Sequence, residues 1–91
     1  MINKANVNIT NECISSINIL DCLLNDIEIG LIKKSFQFSI DFMMDNFNII
    51  KFNNIQSIVK SFYTNNLNQL KINLIDLKKE LKRIIKNIYD L

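Results

Sequence analysis

The sequence predicts an all-α protein, a small bundle of three or four helices closed by a long amphipathic C-terminal helix, and three observations carry that prediction. Leu67, Leu70, Leu74, Leu77, Leu81, Ile84, Ile88 and Leu91 follow a strict three-four spacing, which keeps one apolar seam on one side of a helix. A second stripe at Ile17, Leu20, Leu24 and Ile27, broadened by Cys13, Ile14 and Leu23, has the same period. The 91 residues contain one glycine and no proline, so the turn chemistry that a sheet of short strands requires is nearly absent.

The chain is read as one domain, 1–91. At this size roughly 60–65% of the unfolded surface can be buried, enough for a modest core. An apolar fraction of 48% argues against disorder. The bias toward Ile, Asn, Lys and Phe, with Arg83 as the single arginine, is a codon-composition signature, so Ile and Phe count little as evidence for strands.

In chain order, Ala5, Val7 and Ile9 alternate with Asn6 and Asn8, which reads as a small edge strand or a surface arm. Thr10 or Asn11 then caps a helix over about residues 11–28, with Glu12 in its first turn. Gly30 follows where a left-handed C-cap is usual. Residues 31–52 carry two patterns. Phe36, Ile40, Met43, Phe47 and Ile50 repeat at helical spacing, whereas Phe36, Phe38, Ile40 and Phe42 alternate as in a strand. The alternative fold is therefore α+β: a helix, a three-stranded antiparallel meander and two helices. Its weakness is Lys33-Lys34-Ser35, a poor hairpin loop. Asn53 and Asn54 mark the next break, Ile55, Ile58, Val59 and Phe62 a short helix ending near Tyr63, and Asn66 the cap of the last helix.

That last helix is about 39 Å long if it runs from Asn66 to Leu91. It is expected to outreach the other segments and to offer the end of its seam to a partner. Leu74, Leu77, Leu81, Ile84, Ile88 and Leu91 are the expected protein interface. Ile72, Ile75, Ile85 and Tyr89 widen the stripe beyond a two-stranded zipper and favour bundle packing or a larger partner.

Charge is uneven. Residues 1–30 hold Lys4 against Glu12, Asp21, Asp26 and Glu28, a net of −3; residues 71–91 hold six bases against Asp76, Glu80 and Asp90, a net of +3. The acidic first helix is thus expected beside the basic last one. Lys78, Lys79, Lys82, Arg83 and Lys86 form a possible basic contact face for nucleic acid, although acidic residues interrupt it and no nucleic-acid-binding motif accompanies it.

Catalytic equipment is thin. There is no histidine, which removes the commonest general base and zinc ligand. Cys13 and Cys22 are nine residues apart, on opposite faces of a helix, and read as free thiols. Asp41 and Asp45 share a helix face but lack a third acidic ligand, and the serines have no activating base. Met43 and Met44, with Phe42 and Phe47, offer either core packing or an adaptable docking surface. No metal, cofactor or small-molecule substrate is expected.

No apolar run reaches the length of a membrane span and no signal-peptide pattern opens the chain, so an intracellular, soluble protein is expected. The function that fits is a non-catalytic protein–protein interaction module, an adaptor, inhibitor or small subunit, binding another protein or a second copy through the C-terminal seam. The alternatives are a self-assembling structural helical protein and a weak nucleic-acid binder.

Overall fold

The computed structural model describes residues 4–89, which form four helices: α1 (Lys4–Glu28), α2 (Ile32–Asn46), α3 (Phe52–Tyr63) and α4 (Leu67–Tyr89). The described residues contain no strand, so the meander does not form and residues 32–46 are helical. Helical spacing wins because it places Ile32, Phe36, Ile40 and Met43 together in the core and turns Phe38 and Phe42 outward, whereas a strand would put Phe36, Phe38, Ile40 and Phe42 on one face and Met43 on the other.

Successive helices run antiparallel in up-down-up-down order. Ser35 Oγ donates to Asp26 and the Asn48 N–H donates to Glu12 Oε1 at 2.6 Å, tying both ends of α2 and its exit loop to α1. Asn73 Nδ2 donates to the Ser57 carbonyl at 3.1 Å, fixing α3 on α4. Phe36 stacks on Phe62, ring centroids 3.9 Å apart, to join α2 to α3.

Two Schellman turns close the hairpins. At the end of α1 the Leu31 N–H bonds the Asp26 carbonyl at 2.8 Å and the Gly30 N–H bonds that of Ile27, with Gly30 at φ +78°. At the end of α3 the Asn66 N–H bonds the Ser61 carbonyl and the Asn65 N–H that of Phe62, with Asn65 at φ +56°. Glycine and asparagine tolerate this left-handed backbone where most residues are strained.

Three boundaries differ from the sequence reading. The arm or edge strand over residues 4–9 is instead the first part of α1, while Met1, Ile2 and Asn3 lie outside the described residues. The stripe extends back through Ile9, giving Ile9, Cys13, Ser16, Leu20, Leu23 and Ile27 at four-three spacing. Thr10 therefore sits inside the helix, its hydroxyl donating to the Asn6 carbonyl at 2.8 Å, rather than capping it. The break before α3 is residues 47–51, not Asn53 and Asn54; the Asn54 side chain accepts the Lys51 N–H at 2.8 Å and starts the helix. Finally, α4 does not outreach the chain. With 25 residues α1 is at least as long as the 23 of α4 and runs beside it.

The core is drawn from all four helices: Cys13, Leu20 and Leu23 of α1, Phe36, Ile40 and Met43 of α2, Ile55 and Ile58 of α3, and Leu70, Leu74, Leu77 and Leu81 of α4. Ile50, in the connecting loop, closes it. Leu70, Leu74, Leu77 and Leu81 of the C-terminal seam are thus covered from within the chain.

Candidate interaction surface

The most exposed large apolar side chain among the described residues is Phe38, at 76%. It follows from the register of α2. Phe36, Ile40 and Met43 turn inward, so Phe38, two residues from Phe36, points almost the opposite way. Lys34, Phe38, Phe42 and Asp45 then share the outward side of the helix at spacings of four, four and three. Phe38 and Phe42 lie with ring centroids 6.4 Å apart and planes 24° from parallel. Phe42 in turn meets the edge of half-buried Phe47, centroids 5.8 Å apart, which anchors the aromatic row to the core. Leu31, 43% exposed, lies seven residues before Phe38, with Lys34 between them on the same side.

A polar rim borders the row. Gln37 Nε2 donates to Asp41 Oδ1 at 2.8 Å, and Gln37 Oε1 accepts the Tyr63 hydroxyl from α3. Met44 is exposed beside it, whereas Met43 is wholly buried, so the methionine pair divides between surface and core. Asp41 and Asp45 share the exposed side as expected, and among the described residues no group of three potential ligands gathers around them or elsewhere.

The seam residues are placed otherwise. Leu74, Leu77 and Leu81 belong to the core, where a partner reaches them only by opening the bundle. Ile84 and Ile88 are half-buried, and Leu91 lies outside the described residues. On the basic face, Lys78 Nζ is 2.6 Å from Asp21 Oδ1 and Arg83 pairs with Glu80 within its own helix. The Arg83 hydrogen bond, ahead of its charge, holds the Glu80 carboxyl below the usual glutamate range. Lys79, Lys82 and Lys86 are exposed and make no ion pair among the described residues.

Two adjoining grooves between α3 and α4 share Ser57 and Asn73. Their polar groups are spent on one another: Ser61 Oγ donates to the Ser57 carbonyl at 2.5 Å and accepts from Asn73 Nδ2 at 2.6 Å, while Gln69 Nε2 donates to Asn73 Oδ1 at 2.9 Å. This network braces the hairpin. Cys13 is buried, with its thiol pushed up by desolvation and then by Glu12, and Cys22 is exposed.

Sequence reasoning singled out Phe42, Met43, Met44 and Phe47, of which Met43 belongs to the core, and missed Phe38 and Leu31. The signal was available: once Phe36 and Ile40 are assigned inward on a helix, Phe38 has no place in the core. No described helix is long and apolar enough to cross a membrane. Comparison with known proteins returns no matching family model, curated protein or solved structure.

Proposed function

We infer that this chain is a non-catalytic protein–protein interaction module whose docking face is the outer side of α2. The observation that carries this reading is Phe38, 76% exposed and paired with Phe42 on a helix whose other face is fully used by the core. An exposed aromatic row on a rigid helix supplies apolar contact at little entropic cost, and a polar rim such as Gln37, Asp41 and Tyr63 is the usual border of such a contact. Of the interface expected from the sequence, only Ile84 and Ile88 are left to contribute among the described residues, because Leu74, Leu77 and Leu81 pack within the chain. The test is photocrosslinking in the cells that make the protein, with Phe38→p-benzoylphenylalanine and the same replacement at exposed Asn18 of α1 as control. A discrete protein adduct at position 38 and none at 18 supports the reading; no adduct at 38 overturns it.

A second reading, weak nucleic-acid binding, rests on Lys79, Lys82 and Lys86, spaced three and four apart with no ion pair among the described residues. Phosphate contacts by these lysines would make log affinity fall with log salt at a slope of about −0.7 to −0.9 per contact. A flat salt profile with single-stranded or duplex probes removes this reading.

A further inference from the structure

The charges of α2 are set against its own helix dipole. Lys33 and Lys34 occupy the first turn, where the positive end of the dipole disfavours cations, and Asp45 lies in the last turn, where the negative end disfavours carboxylates. Lys33, Lys34 and Asp45 are exposed and make no ion pair among the described residues; Asp26 of α1, which accepts from Ser35, meets the first turn of α2 without pairing with either lysine. The same residues flank the Phe38–Phe42 row, with Lys34 before it and Asp45 after it on one side of the helix.

This pattern is self-complementary. We propose that the partner of the α2 face is a second copy of this chain, docked antiparallel about a two-fold axis near the middle of α2, with Lys34 of each copy opposite Asp45 of the other. The proposal rests on the reading of that face as a docking surface. A two-fold contact meets itself reversed, so one end must be basic and the other acidic if both contacts are to attract. In the register that opposes 34 with 45, Phe38 of one copy falls beside Phe42 of the other, and the two aromatic rows close the centre. The antiparallel partner also brings its negative helix end to each Lys34 and its positive end to each Asp45, relieving the conflict that each helix has alone.

Sedimentation velocity on the purified chain from about 1 µM to about 1 mM tests it, since a single helix pair belongs at the weak end of interfaces. The expected mass rises with concentration from 10.7 kDa to twice that value. K34D alone and D45K alone each set like charges across both contacts and should associate at least about tenfold more weakly. An equimolar mixture of K34D with D45K restores attraction at both contacts and should dimerise as the parent does, a rescue that a folding defect cannot imitate. F38A should stay monomeric with unchanged helicity and melting midpoint. A monomer at every concentration, a dimer indifferent to these substitutions, or a mixture no more associated than its components would overturn the proposal. A purified monomer whose position 38 still crosslinks to a different protein in cells removes the second copy and leaves the docking face; a monomer with no adduct removes both.

Discussion

Lys71 Nζ lies 2.5 Å from Glu28 Oε1, bridging the end of α1 to the start of α4. One heptad along each helix, in opposite directions, Lys78 Nζ lies 2.6 Å from Asp21 Oδ1. Two pairs at matching heptad steps fix the antiparallel register of the two longest helices. Both pairs are at least partly exposed, so they orient the helices more than they stabilise them.

The first of these pairs makes a pH prediction. The Lys71 hydrogen bond, then its charge, holds the Glu28 carboxyl below the ordinary value of 4.5. A carboxylate depressed in the folded state contributes stability that is complete above its unfolded value and is lost as pH falls through its folded value. Glu28→Gln should therefore flatten the fall in melting midpoint below about pH 4.5 and leave the dependence above it unchanged. The check is thermal unfolding of both proteins across this range, with the Glu28 carboxyl followed by NMR. A midpoint of titration at or above 4.5 would contradict the pair.

The placement of the seam predicts a gradient of mutational cost along α4. Leu74→Ala removes a wholly buried side chain and should cost about 2–5 kcal/mol, whereas Ile88→Ala, at a half-buried position, should cost about 1 kcal/mol or less. Leu81→Asp should unfold the monomer, since it puts a charge into the core. Urea denaturation measures all three; equal costs at 74 and 88 would mean that the seam is not filled as described.

Ser16 is wholly buried at a seam position of α1, and its Oγ has no hydrogen-bond partner among the described residues. Ser16→Ala should stabilise the chain by about 1 kcal/mol, because an unpaired hydroxyl is removed and a better helix former takes its place. A lower midpoint in urea would show that the hydroxyl is satisfied in solution.

The two cysteines should react at different rates. Cys22 is exposed, while Cys13 is buried and its thiol is pushed above the ordinary value of 9.0. Titration with a chromogenic disulfide near neutral pH should show one fast thiol in the native protein and two in denaturant. Two fast thiols without denaturant would place Cys13 at the surface.

The helical class was legible because α4 keeps its seam for six turns and because almost no residue suited to hairpin turns interrupts the chain. The Gly30 cap and the Asn66 side chain, which accepts the Gln69 N–H at 3.1 Å, were readable from their positions alone. The start of α1 was obscured by Asn6, Asn8 and Thr10, residues that favour caps and turns locally but here ride on a helix held by Ile9 and Cys13. The Phe36 to Phe42 alternation suggested a strand because phenylalanine on an outward helix face reads the same as phenylalanine on a sheet.

By itself the sequence determined the periods, the ends of α1 at Glu28 and of α3 at Tyr63, the absence of histidine and the opposite charge of the first and last helices. Only the tertiary structure decided which apolar residues were left over. A periodic stripe states that a face must be covered but not by what. Once α1 and α3 cover the seam of α4, Leu74, Leu77 and Leu81 become core, and the most exposed large apolar side chain among the described residues is Phe38 on α2. That outcome depends on how four helices share one interior, a competition among distant segments that local spacing does not encode.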